Sequence, residues 1–127
     1  MYMDRHGVHH EPKKDDCIRD RQGAFAIILS ENQHDILVTA GPHAPGVPEL
    51  PGGGIDEGED AQRAVIREIY EETNQSLLQY KIQNEWQFDL KFYADDVNEY
   101  WDYKKTYFLI EIDLKLHSFS KKVKTPE

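Results

Sequence analysis

Leu50-Pro51-Gly52-Gly53-Gly54-Ile55-Asp56-Glu57-Gly58-Glu59 runs directly into the segment from Asp60 to Asn74, and this stretch decides how the chain is read. Glu71 and Glu72 follow Glu68 at three and four positions. On a helix that spacing puts all three carboxylates on one side. Like charges so placed repel by about a few tenths of a kcal/mol per exposed pair. A sequence selected for stability alone could avoid that cost with lysine or glutamine. A divalent cation reverses the argument, because magnesium takes hard oxygen ligands from carboxylates, water and phosphate.

The rest of this helix, expected from about Asp60 to Thr73, suits packing. Val65, Ile66, Ile69 and Tyr70 form a broad apolar arc, with Ala61 and Ala64 at its margin. The helix is therefore expected to be pinned to a core while its acids face a cleft, a rigid platform for metal ligands. Gly52, Gly53 and Gly54 permit backbone paths and close approaches that side chains would block. Such a turn can aim a carbonyl at a metal or an amide at a phosphate. Glu57 and Glu59 sit where the helix dipole favours negative charge. Arg67 can hold a carboxylate through paired hydrogen bonds and orient the acidic cluster.

Upstream, Gly23–Leu29 is a short apolar run of the kind found in a mostly buried strand. Ser30–His34 is turn-like, and Asp35–Thr39 reads as a second strand, so the two are expected to form a hairpin. Ala40–Gly54 is too rich in glycine and proline for a helix interior or a central strand. Residues 1–16 are polar and read as a loose arm or a short edge element, with the domain proper at 17–127. Downstream, Ile82, Trp86 and Phe88 are expected to be buried, and Ala94–Glu99 is an acidic turn. Thr106–Leu116 alternates like a strand with one wet face. Several strands around one clear helix indicate an α+β domain.

The bulk properties exclude several classes. With 127 residues, 39% hydrophobic and 31% charged, the chain suits one small globular domain. No apolar run approaches a membrane span or a secretion signal. Cys17 is the lone cysteine, so a reducing, cytoplasmic setting is the simpler expectation. The net charge of -9 argues against an extended nucleic-acid footprint but leaves nucleotide substrates open. His34, His43 and His117 are left out of the metal site, since magnesium does not select imidazole, while His6, His9 and His10 are close enough to bind a metal but have no compelling geometry for it.

The glycine turn and acidic helix together resemble the signature of the Nudix hydrolases, a family that cleaves nucleoside diphosphates linked to another group. Gly53 opens the pattern, Glu59 follows at the required distance, and Arg67, Glu68, Ile69, Glu71 and Glu72 complete it. Leu50-Pro51-Gly52 resembles the usual lead-in. Asn74 and Gln75 stand where the signature has a glycine and an apolar residue. Asparagine tolerates the left-handed conformation common past a helix end, and Leu77 or Leu78 can replace the apolar contact.

The resemblance implies an α/β/α sandwich with a mixed sheet. It also implies magnesium, with manganese as a substitute, and attack of water on a phosphoryl group. Carried over, the metal ligands are Glu68, Glu71, Glu72 and the Gly52 carbonyl, and Glu59 and Arg67 join them as catalytic or orienting groups. Gly53 and Gly54, with Tyr100 and Trp101 as base-stacking residues, are the substrate-contact candidates. Glu99 and Glu127 are candidates for the general base, while Glu111 reads as a solvated strand position. Lys104 and Lys105 are more simply surface groups than phosphate contacts, and Lys121, Lys122 and Lys124 form a solvated basic tail. The family's closing helix has no counterpart before Glu127. The expectation is a shortened or incomplete domain whose exposed sheet a second copy could cover as a homodimer. The substrate expected is a nucleoside triphosphate or a diphosphate-linked small molecule. The alternatives are a non-catalytic nucleotide-binding or regulatory module and an RNA-end pyrophosphohydrolase.

Overall fold

The computed structural model describes residues 1–29, 36–40, 48–74, 76–77 and 80–112. The expectations at Ser30–Asp35, His43, Gln75, Leu78, His117, Lys121, Lys122, Lys124 and Glu127 lie outside those residues, as does the strand beyond Ile112.

Long strands form where the sequence alternates. β3 (Ile18–Leu29) and β8 (Glu99–Ile112) run parallel in continuous register from Ile18↔Tyr100 to Leu29↔Glu111. β7 (Tyr80–Ala94) pairs antiparallel with β8. The acidic turn expected at Ala94–Glu99 closes that hairpin, with Asn98 at a φ of 54°. Asparagine bears that left-handed conformation more readily than most residues. β6 (Gly52–Gly54) pairs antiparallel with β3 and forms one edge of the sheet.

The N-terminal residues resolve into the edge element rather than the loose arm. β1 (Tyr2–Met3) and β2 (His9–His10) form a small hairpin, and β1 lies parallel to β7 at Met3↔Phe92. Tyr2 is buried and its hydroxyl donates to Asp102 at 2.9 Å. Asp4 closes the hairpin by accepting from the His6 and Val8 amides and pairing with the His10 ring. The six-stranded mixed sheet has the order β2-β1-β7-β8-β3-β6.

One helix, α1 (Ala61–Thr73), covers one face of this sheet. Asp60 caps its start by accepting from the Arg63 amide at 2.8 Å, satisfying a backbone donor that the first turn leaves unpaired. Asn74 ends it in the left-handed region at φ 60°, and its amide donates to the Tyr70 carbonyl. Ala64, Val65 and Ile69 are fully buried against Ala24, Ala26 and Ile28 of β3 and Phe108, Ile110 and Ile112 of β8. Burying side chains of the size of Val65 and Ile69 stabilises the docked helix by about 1.5–3 kcal/mol each. Leu77 joins the same core. Among the described residues there is no second helix layer. No helix among them is long and apolar enough to cross a membrane.

Three expectations are corrected. The helix arc is rotated: Ala64 sits at its centre, while Tyr70 is half exposed. Of the hairpin expected after β3, the described residues show the antiparallel bridge Leu29↔Ile36 and a hydrogen bond from the Leu37 amide to the Ile28 carbonyl. Thr39 instead belongs to β4 (Thr39–Ala40), which pairs with β5 (Pro48–Glu49) in a separate two-stranded sheet. Finally, Trp86 and Phe88 are exposed, unlike Ile82. The reason is a register shift in β7 between Ile82 and Asn84. Such a bulge reverses which side chains face which side. Ile82 points toward α1, and Trp86 and Phe88 point away from it.

Candidate active site

The acidic side of α1 lies over the edge strand β6. A Cβ placed on Gly53 would stand 2.7 Å from the Glu68 carboxyl carbon, so only glycine lets that carboxylate lie on the turn. Gly52 has φ +150°, and a Cβ there would meet the Ala24 carbonyl oxygen at 2.3 Å. Its amide donates to Glu72 Oε2 at 2.9 Å.

Arg67 organises the cluster. Its Nε and Nη2 bind the two Glu59 oxygens at 2.8 and 3.0 Å, a planar fork that matches the carboxylate. Nη2 also donates to the Gly54 carbonyl at 2.9 Å. Nη1 reaches Glu68 Oε1 at 3.0 Å and Glu71 Oε2 at 2.8 Å. One guanidinium thereby ties the glycine turn, the loop before α1 and two helix acids together. These partners raise the Arg67 pKa, Glu59 most of all. In return the Arg67 hydrogen bonds hold the Glu59 carboxyl below its ordinary range.

Glu72 sits differently. Burial pushes its pKa up to about 7, against the pull of the Gly52 amide, and the charges of Glu68, Glu49 and Glu71 push the same way. Glu49 is therefore an acid of this neighbourhood that the sequence reading missed. Its place immediately before Leu50-Pro51-Gly52 was the available signal.

The expected site residues divide cleanly by position. Gly52, Gly53, Gly54, Glu59, Arg67, Glu68, Glu71 and Glu72 converge on one edge of the sheet. Tyr100 and Trp101 do not join them. They face Ile18 and Arg19 across β3, whereas Gly52–Gly54 face Phe25–Gly23, a separation of roughly 13–23 Å along the strand. Tyr100 packs edge-on against Tyr2, and its hydroxyl donates to the Glu11 carbonyl. Glu99, at the same far end, accepts from Arg19 and the Trp101 indole. Those hydrogen bonds, the indole's first, hold its carboxyl low. Glu111 is exposed and hydrogen-bonded by Gln83.

Beside β6, on the face away from α1, lie groups the sequence reading weighed little. Lys105 and Gly23 are register partners, as are Tyr107 and Phe25. The Lys105 ammonium lies 5.1 Å from the Phe25 ring centre, and burial lowers its pKa.

The donor set fits a hard divalent cation: carboxylates crowded by like charge, with backbone oxygens at hand. No group of three acidic, histidine or cysteine side chains among the described residues is already drawn together as a cage. Arg67 engages Glu71 and one oxygen of Glu68, and Glu71 is exposed enough to swing free.

A family model described as "NUDIX domain" matches residues 20–118. A Bacillus subtilis (strain 168) protein, provisionally named an 8-oxo-dGTP diphosphatase, is 50% identical over 54 residues. That match takes in 41% of this chain and 34% of the relative, so it spans about a third of the relative's length. A MutT NUDIX hydrolase structure from Burkholderia pseudomallei is 28% identical with a TM-score of 0.52, covering 86% of this chain and 75% of that one. The E. coli dihydroneopterin triphosphate pyrophosphohydrolase shares the fold at 17% identity and a TM-score of 0.56, covering 72% of this chain and 67% of its own.

Proposed function

The chain belongs to the NUDIX domain family, and from that premise we propose that it hydrolyses a phosphoanhydride bond in a nucleoside triphosphate or a nucleoside diphosphate-linked small molecule. The observation that carries this reading is that Glu68 and Glu72 lie against the Gly52–Gly54 turn, with Arg67 binding that turn and joining Glu68 to Glu71. A stable surface helix has no need of such crowding. A site for a cation and a polyphosphate does.

Glu68, Glu71 and Glu72, with a backbone oxygen of Gly52, are the groups that would hold magnesium, and manganese could replace it. When bound, the ion would neutralise phosphate charge and make a water more acidic. The chain's own residues do the rest. Gly53 keeps the turn thin, so that a phosphate can approach the Glu68 carboxylate without a side chain between them. Arg67 fixes the spacing of the turn and the helix, because its fork to Glu59 leaves Nη1 aimed at Glu68 and Glu71. Glu72 is oriented by the Gly52 amide, and a bound cation would offset the burial and like charge that favour its protonated form. The other acid in the cluster's surroundings, Glu49, adds negative charge that a cation would offset.

The test is a panel of nucleoside triphosphates, diphosphate conjugates and dinucleoside polyphosphates, with nucleotide, phosphate and pyrophosphate products resolved. Release of a nucleoside monophosphate from at least one of them, dependent on added magnesium, is expected. A folded sample that turns over none of them contradicts the proposal.

A further inference from the structure

β7 has a long stretch of open edge. The sheet order places it between β8 and β1, and β1 meets it at one register position, Met3↔Phe92. Among the described residues the run Asn84–Leu90 therefore pairs with β8 on one side and with no strand on the other. Every residue from Gln83 to Lys91 is exposed. The register shift between Ile82 and Asn84 bounds the run at one end, and β1 bounds it at the other. Its length is about 23 Å at the usual strand rise. Along such an edge, backbone donors and acceptors that have no ladder partner face outward, a template for another strand.

The side chains of the run are sorted by face. Trp86, Phe88 and Leu90 turn away from α1 and are 38%, 52% and 42% exposed. Glu85, Gln87 and Asp89 alternate to the other face. Among the described residues neither of those carboxylates has an ion-pair partner. Lysine and proline, which commonly blunt an open edge, are absent from Asn84–Leu90. Two acids stand there instead.

Those acids select the occupant. A second copy filling the run with its own β7, antiparallel and centred on Gln87, would set Glu85 opposite Asp89 twice. Like charges directly opposite destabilise a strand pair. Centring the pair on Trp86 or Phe88 runs it into the shift at Ile82 and Asn84, or into Phe92, which β1 already holds. Basic side chains on an incoming strand meet attraction where a copy meets repulsion. We infer that the β7 edge docks an extended segment of another protein in which basic and apolar side chains alternate. The basic row faces Glu85 and Asp89, the apolar row covers Trp86, Phe88 and Leu90, and main-chain hydrogen bonds join the two strands. β8 and β3 separate this edge from β6 and the glycine turn, so the docking is independent of the hydrolytic cluster.

The probe is a capped heptapeptide in which valine and lysine alternate, with valine at both ends. Beside it stand an isomer with the same residues in two blocks, a counterpart with glutamate for lysine, and a copy N-methylated along its backbone. Each is titrated into the full chain and followed by tryptophan fluorescence and amide hydrogen exchange. The alternating lysine peptide should bind at least tenfold tighter than the block isomer or the N-methylated copy, and should slow exchange within Asn84–Leu90. Glu85→Lys with Asp89→Lys should weaken it about tenfold and turn the preference to the glutamate peptide, since two cross-strand charge pairs change sign. Asp15→Lys with Asp20→Lys alters the net charge equally, away from this edge, and should shift the affinity less than about threefold. No binding, equal binding of the block isomer or the N-methylated copy, protection confined to other strands, or a preference unmoved by the charge reversal would each overturn the inference. So would a peptide-free chain of doubled mass with Asn84–Leu90 already protected, because a second copy would then hold the edge. Hydrolysis enters none of these readouts.

Discussion

Gly53→Ala separates the fold from the chemistry more sharply than any other change. The new Cβ would lie 2.7 Å from the Glu68 carboxyl carbon and Oε1, and 2.8 Å from Oε2. Ordinary contact starts at 3.4 Å, so the carboxylate must retreat by about 0.7 Å. The obstructing atoms are the far end of a flexible side chain, and the fold should yield for no more than about 1 kcal/mol. A reacting group displaced by nearly that distance loses far more, about 100-fold for 1 Å. The expected result is kcat/KM reduced roughly 30–100-fold with a Tm within about 4 °C of wild type. Two neighbours calibrate it. A Cβ at Gly54 meets nothing within 4 Å, so Gly54→Ala should change neither quantity. At Gly52 the Cβ strikes the Ala24 carbonyl oxygen at 2.3 Å and φ is +150°, so Gly52→Ala should unfold the turn and cost several kcal/mol, roughly 3 or more. Initial rates at saturating magnesium, paired with thermal melts, make the comparison. Gly53→Ala with wild-type activity, or a loss matched by Gly54→Ala, would refute the placement of Glu68 against the turn.

Other expectations follow from single contacts. Asp60→Ala removes the acceptor for the Arg63 amide and should cost about 1 kcal/mol, read as a drop of roughly 4 °C in Tm without a change in KM. Glu72 has a pKa of about 7, raised above its unfolded value by burial. Its protonated form therefore favours the fold at low pH, and that contribution is lost as pH rises from about 4.5 through 7. Discounted for its half exposure to water, the loss is about 1 kcal/mol in chelator, and Glu72→Gln should abolish it. Paired melts of wild type and Glu72→Gln from pH 4 to 8 in chelator test the sign: the stability of wild type relative to the variant should fall over that window, and a relative stability that rises would contradict it.

What the sequence disclosed and what it withheld have physical causes. The glutamate helix and glycine turn were legible because their spacing is local: residues three and four apart on a helix must share a side, and adjacent glycines announce a close approach. Arg67 was legible as an orienting group, though not as the bond to the Gly54 carbonyl, which depends on how the loop folds back. Trp86 and Phe88 were misplaced because the shift between Ile82 and Asn84 has no sequence mark, yet it reverses every later side chain of β7. Tyr100 and Trp101 read as substrate platforms from their neighbourhood to a turn. Parallel pairing with β3 instead carries that turn to the far end of the sheet from the glutamates. The N-terminal hairpin depends on Asp4 meeting His10 and on Tyr2 meeting Asp102, contacts across sequence that no periodicity announces.

The most direct test of the central claim is magnesium-dependent turnover of the best nucleotide in the panel by wild type and by Glu72→Gln, with matched thermal melts. Glutamine keeps the size and an acceptor for the Gly52 amide but removes the charge, so the account predicts an intact fold and a rate reduced by about 100-fold or more. Turnover that persists in Glu72→Gln, or that is unchanged when magnesium is chelated, would contradict it.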